Sequence, residues 1–198
     1  DPILREFIRV QYQLDVAHES FESVYEQLRT ELARWKRKYA DAVGELVEAR
    51  IAALMARFDG RRVPGRLFGV EDEIVLPRFT FVYDTVVKGA ADQERQVDQI
   101  GAWWLDGEMA VWVVEIKHWA KRVDASVVAG FVELCQAVSR EKRVPPERMV
   151  KWLVNAGGFT AGALAAMTEA GILHSGAAEI NELLRGFGIS RLLGVAVT

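Results

Sequence analysis

The dipeptide Asp106-Gly107 constrains this chain more than any other feature. Both residues tolerate the positive φ that the tightest hairpin turns demand. Residues 96–104 (QVDQIGAWW) precede it and residues 109–117 (MAVWVVEIK) follow it. Both runs are rich in β-branched and aromatic residues and read as strands. A turn centred on Asp106-Gly107 pairs Leu105 with Glu108, and every further pair follows from that one. Ile100 then faces Val113, Asp98 faces Glu115, and Gln96 faces Lys117. Val111 to Val114 is apolar on both faces, as a strand covered on both sides should be.

Around this hairpin the pattern is mixed. The first sixty residues read as helix. Phe21, Tyr25, Leu28, Leu32, Trp35 and Tyr39 recur at alternating spacings of four and three, a heptad seam. This helix can dock on its own domain or on a second copy of the chain. A second helical run, residues 41–58, carries Val43, Val47, Ile51, Leu54 and Phe58 and stops at Gly60. Residues 78–86 (RFTFVYDTV) suit a strand, residues 88–95 a polar loop, and residues 125–140 an amphipathic helix. Pro145-Pro146 breaks the chain before a strand at 150–154. Thr160 caps a helix that stops at Gly171, residues 172–173 form a short extended step, and Ser175 caps a last helix. The expected architecture is a helical extension over residues 1–40 and a mixed α/β domain over residues 41–198.

With 198 residues and 51% apolar content, the chain suits one domain with a helical extension. No apolar run is long enough to span a bilayer, and no segment resembles a signal peptide. The chain opens on Asp1 and not methionine, as a fragment or processed chain does. The single cysteine, Cys135, excludes a disulfide framework within the chain and any multi-cysteine metal site. It lies on an apolar helix stripe, as a core residue does. A reducing cytoplasm is the expected setting. The net charge is −3, yet the segment from Lys117 to Lys151 holds eight basic and four acidic residues and is +4. Lys121 and Arg122 belong to it. Such a local basic face suits nucleic acid, but more often it is an ordinary solvated surface.

The chemistry-bearing group is the open end of the hairpin. Opposed residues share a face, so Asp98, Glu115, Lys117 and Gln96 gather there. Two carboxylates this close repel unless a positive charge lies between them. A divalent cation answers that need, and hard oxygen ligands suit Mg2+, with Mn2+ as a substitute. The carbonyl of Ile116 adds a third oxygen. A lysine two residues beyond the second carboxylate can orient an attacking water and offset phosphate charge, which is metal-assisted phosphodiester hydrolysis. The bland alternative is an acid–lysine cluster at a solvated sheet end. On the 41–58 helix, Glu48 borders the apolar stripe, whereas Glu45 points nearly opposite it.

A helix with Glu48, a strand with Asp98, a strand with Glu115-Ile116-Lys117, then helix and strand resembles the PD-(D/E)XK nuclease superfamily. Asn155-Ala156-Gly157-Gly158-Phe159-Thr160, followed by Ala163, Ala166, Gly171-Ile172-Leu173 and Leu183-Leu184, is similar to Mrr-type restriction endonuclease domains. The resemblance covers residues 41–187 and implies a restriction-endonuclease-like mixed sheet flanked by helices, with an αβββαβ core. It implies that Asp98 and Glu115 ligate Mg2+, that Lys117 acts on the attacking water, and that Glu48 holds a water or a second metal. Val97 stands where the superfamily's name has proline. The resulting expectation is a Mg2+-dependent endonuclease acting on DNA, with RNA as a second candidate. Gln96, Lys121 and Arg122 are the expected nucleic-acid contacts. The N-terminal helix lies outside the resemblance, and a homodimer through it is one candidate assembly. An inactive binding module of the same fold is the first alternative. An interaction protein working through that helix is the second.

Other motifs fail. Residues 155–159 lack the full glycine pattern of a dinucleotide loop, and His18, His118 and His174 show no metal spacing. His118 is expected to face away from Lys117. Trp103, Trp104, Trp112 and Trp119 suit base stacking or, more simply, a core.

Overall fold

The computed structural model describes residues 2–18, 20–89, 92–118 and 120–192, so Asp1 and Trp119 lie outside the described residues. Its contacts divide the chain into two compact units, Asp1–Val43 and Gly44–Thr198.

The first unit is a helical hairpin. α1 spans Pro2–Asp15, and α2 begins at Phe21 and runs as Phe21–Met55, continuing into the second unit. The break between them was not legible in the apolar pattern. His18 takes a left-handed φ of 52°, and the Ser20 hydroxyl accepts from the Ser23 N–H, so the chain turns and caps anew. Conversely, the two helical runs expected over 21–39 and 41–58 are one helix, because no glycine or proline separates them.

The second unit is mixed α/β. Two short strands, β1 (Arg62–Val63) and β2 (Ile74–Val75), pair antiparallel and flank a 3₁₀ turn, Gly65–Phe68. The main sheet contains β3 (Phe81–Lys88), β4 (Glu94–Leu105), β5 (Glu108–Lys117), β6 (Met149–Asn155) and β7 (Ile172–Ser175), in that spatial order. β3, β4 and β5 are antiparallel neighbours, while β5, β6 and β7 run parallel. Parallel neighbours need crossovers. α3 (Ala125–Lys142) joins β5 to β6, and α4 (Ala161–Glu169) joins β6 to β7. α5 (Ala177–Gly186) ends the described core.

Each crossover helix begins on a side-chain cap. Asp124 accepts from the N–H groups of Ser126 and Val127, and Thr160 accepts from that of Ala163. Ser175 departs from expectation. It lies in β7, where its hydroxyl accepts from the Trp152 indole N–H and donates to the Leu67 carbonyl, and Gly176 caps α5.

Both faces of the sheet are covered. On one, Val97, Ile100, Val111 and Val113 pack with Phe131, Leu134 and Val138 of α3. On the other, Trp112 and Trp152 pack with Phe58, Phe68 and Phe79 in edge-on and tilted ring contacts. Trp112 is therefore a core residue. Trp104 is 64% exposed and, with Trp103, lines a cleft at the turn end of the hairpin. At ~3.3 Å per residue that end lies roughly 30 Å from Lys117. Cys135 is buried, and burial pushes its thiol up to about 12, as suits an inert core residue. Among the described residues no helix is long and apolar enough to cross a membrane.

The Asn155–Thr160 stretch is a clasp. Asn155 is fully buried and its amide donates to the carbonyls of Lys121 and Gly158. The Val123 N–H donates to the Gly158 carbonyl, and the Thr160 N–H donates to that of Val123. A Cβ on Gly157 would stand 2.4 Å from the Ala120 carbonyl oxygen and 2.5 Å from that of Lys121. Backbone cannot yield as a side-chain tip can. Gly157→Ala should therefore cost about 1–3 kcal/mol. Thermal unfolding should show a midpoint lower by about 2–4 °C for each kcal/mol, and an unchanged midpoint would contradict the close approach.

Candidate functional site

The hairpin turn has the predicted conformation, with φ of 52° at Asp106 and 80° at Gly107. The register from Leu105↔Glu108 to Gln99↔Val114 follows the pairing the turn dictates. The backbone ladder ends one rung before Asp98 and Glu115. There the Asp98 carboxylate takes over: its Oδ2 accepts from the Ile116 N–H at 2.7 Å.

The reason lies in the opposite edge of β4. Tyr83 pairs with Ile100 but Thr85 pairs with Val97, so Asp98 and Gln99 together stand opposite Asp84. This one-residue bulge shifts the side-chain phase and lets both Val97 and Ile100, each fully buried, enter the same core. It also corrects the expectation for Gln96. That residue pairs with Val86 and is exposed. Its neighbour Arg95 points to the α3 side, where it donates to the Gly130 carbonyl. Gln96 therefore lies on the opposite face from Arg95 and does not face Lys117.

Glu115 and Lys117 are two residues apart on β5 and share a face. Lys117 Nζ is 2.5 Å from Glu115 Oε1, and both side chains are largely covered, at 24% and 14% exposure. The other oxygen of Glu115, Oε2, is buried without a hydrogen-bond partner. Burial raises the Glu115 pKa, and the nearby Asp98 charge raises it further, against the pull of Lys117. Burial likewise raises the Asp98 pKa, opposed by the Ile116 N–H, Lys117 and His118. The hairpin end thus holds two partly desolvated carboxylates and one lysine.

α2 supplies a third acid. Gly44 and Glu48 are one turn apart and share a helix face. A Cβ on Gly44 would stand 2.7 Å from His118 Cε1, so the bare glycine gives His118 its place beside the helix. Glu48 is half-buried there, and its pKa is raised first by burial, then by the charges of Asp98 and Glu45, while Lys117 lowers it. Glu45 is exposed. The structure therefore brings Glu48, Asp98, Glu115 and Lys117 within electrostatic reach of one another.

The basic segment is not one free surface. Arg148 pairs with Glu108 and donates to the Leu105 carbonyl at the turn end, and Lys151 donates to the Ala170 carbonyl. At the open end of the hairpin stand Lys117 and the exposed Lys121 and Arg122, on the loop that Asn155 clasps. Two neighbours were not singled out by sequence reasoning: Asp84, whose charge acts on Glu48, and Arg95, whose charge acts on Glu115. The bulge sets Asp84 opposite Asp98 and Gln99, and no local motif announces it. His118 lies just beyond the end of β5, with its ring against Gly44 of α2.

Among the described residues no three His, Cys, Asp or Glu side chains are arranged to hold a metal ion. The donor set is a pair and not a cage. That suits Mg2+, which keeps several waters and uses one or two carboxylates plus substrate phosphates. The orphaned Oε2 of Glu115 is the oxygen such an ion would satisfy. Comparison with protein-family models, with curated proteins and with solved structures finds no match to this chain.

Proposed function

We propose that this chain is a metal-dependent nuclease that hydrolyses phosphodiester bonds in DNA, on a restriction-endonuclease-like form of the α/β fold. The observation that carries this reading is the buried, unpartnered Oε2 of Glu115, beside Asp98 and on the same carboxylate that holds Lys117. Burying a polar atom without a partner is costly, and chains keep such sites where function requires them.

Asp98, Glu115 and the Ile116 carbonyl are the oxygens that would hold Mg2+ or Mn2+. A divalent cation bound there supplies Lewis-acid charge and lowers the pKa of a water. Lys117 has two tasks. Its ammonium orients the attacking water by hydrogen bonding, and it offsets negative charge at the phosphate. Asp98 fixes the end of β5 through the Ile116 N–H, which keeps Glu115 and Lys117 in place. Glu48 holds a water from the α2 side. Lys121 and Arg122 contact the phosphate backbone, which supplies affinity without reading sequence.

Glu48→Gln should slow cleavage at least tenfold, about 1.4 kcal/mol of transition-state stabilisation. Glu45→Gln should change the rate little, because an exposed charge is mostly screened. Initial rates for the two variants side by side check this, and a larger loss at Glu45 would reverse the assignment. The broader test is a panel of labelled DNAs and RNAs with Mg2+, Mn2+ or EDTA. Metal-dependent cleavage of DNA is the expected result. Salt-dependent DNA binding without cleavage would replace the nuclease with a binding module.

A further inference from the structure

The first unit has an apolar surface that the site does not use. α1 and α2 are joined by Arg9, whose guanidinium donates to both carboxylate oxygens of Glu31 at 2.9 and 2.7 Å, and by a hydrogen bond from the Gln13 side-chain amide to the Gln27 Oε1. Val24, at 2% exposure, is the one large apolar side chain buried between Pro2 and Val43 among the described residues. Most helical stability in proteins comes from a packed apolar face. Meanwhile Phe21, Tyr25, Leu32, Trp35 and Tyr39 are exposed at 68%, 56%, 56%, 66% and 70%. With the half-buried Leu28 they form one stripe. Val24, Gln27 and Glu31 lie to one side of it, which is why α1 leaves the stripe open.

From this stripe we infer that α2 pairs with α2 of a second copy of this chain, and that the two run antiparallel. The seam is symmetric about residue 30. Reversed on itself, it sets Phe21 opposite Tyr39, Tyr25 opposite Trp35 and Leu28 opposite Leu32. Aromatic rings meet aromatic rings at both ends, and leucines meet at the centre. The charges set the direction. The first half of the seam holds Glu22, Glu26 and Arg29, a net −1, and the second holds Glu31, Arg34, Lys36, Arg37 and Lys38, a net +3. A parallel pair would set the net-positive half of one copy on that of the other. The antiparallel pair sets the acidic half on the basic half, with Glu22 and Lys36 on the same flank of the seam.

The area is sufficient. At ~150–250 Å² per aromatic side chain, the exposed fractions of the six seam residues amount to roughly 700 Å² per copy. A standard interface uses about 800 Å² per partner. Leu4, Phe7, Ile8 and Tyr12 of α1 are also exposed and add to what a four-helix arrangement can cover. This inference stands apart from the proposed nuclease activity and needs none of its residues.

Sedimentation of the whole chain at low salt tests it. The expected mass is that of a dimer. Reversing the acidic half (Glu22→Lys with Glu26→Lys) should weaken association at least tenfold. Reversing the basic half as well (Arg34→Glu with Lys36→Glu) should restore it, which also shows that the first variant was folded. Tyr25→Asp with Trp35→Asp should give monomers whose α/β unit melts as in the wild type. A monomeric wild type would overturn the inference. So would a dimer whose stability ignores both charge reversals.

Discussion

Lys117→Ala should slow DNA cleavage by a factor of about 10²–10⁴, the span typical of a lost proton-handling or water-positioning group. Substrate affinity should fall far less. Lys121 and Arg122 remain exposed on the neighbouring loop, and backbone affinity comes from the sum of such charges. The carboxylate pair also remains, so the metal should still bind. Binding measured beside single-turnover cleavage separates the two effects. A loss of affinity as large as the loss of rate would make Lys117 a phosphate anchor and remove it from the chemical step. The ion pair Lys117 forms with Glu115 is largely covered, so the variant leaves that carboxylate less compensated. Its metal-free form should therefore be somewhat less stable than the wild type, and added Mg2+ should recover part of the difference.

Asp98→Asn should act in the opposite direction on stability while abolishing metal-dependent activity. Asparagine keeps an oxygen for the Ile116 N–H and removes one of two desolvated, mutually repelling charges. The metal-free variant should melt higher than the wild type, by about 2–4 °C for each kcal/mol gained. The pH dependence follows from the same cause. Burial raises the carboxyl pKa of Asp98, Glu115 and Glu48 in the folded protein. A raised carboxyl contributes stability below its unfolded pKa, near 4, and loses it as pH rises through the folded value. The wild type without metal should therefore lose stability from these groups as pH rises from about 4 toward neutrality, and Asp98→Asn should show a weaker loss. Mg2+ should raise the wild-type midpoint through binding linkage and leave that of Asp98→Asn nearly unchanged. Equal shifts in both proteins would place the cation elsewhere.

Much of the site's frame was legible because it depends on local rules. Asp106-Gly107 dictates a tight turn, the turn dictates the register, and period-two alternation sets Glu115 and Lys117 on one face. Thr160 announces its helix as a cap. What escaped depends on distant partners. The bulge that turns Gln96 away exists because Val97 and Ile100 both enter the core against α3, a demand that β4 alone does not express. Ser175 looks like a helix cap until Trp152 and Leu67 claim its hydroxyl. The +4 segment looks continuous along the chain, yet its strand and loops carry Arg148 to the far end of the hairpin. The placement of Glu48 is intermediate. The helix stripe marked its border position, but its approach to Asp98 depends on Gly44 making room for His118.

The central claim is that the Asp98–Glu115 end of the hairpin carries out metal-dependent cleavage. Release of fragments from labelled duplex DNA, for wild type and Asp98→Asn with Mg2+ and with EDTA, tests it most directly. The account predicts cleavage by the wild type in Mg2+, none in EDTA, and none by Asp98→Asn in either. Cleavage that persists in EDTA, or that Asp98→Asn matches in Mg2+, would contradict it.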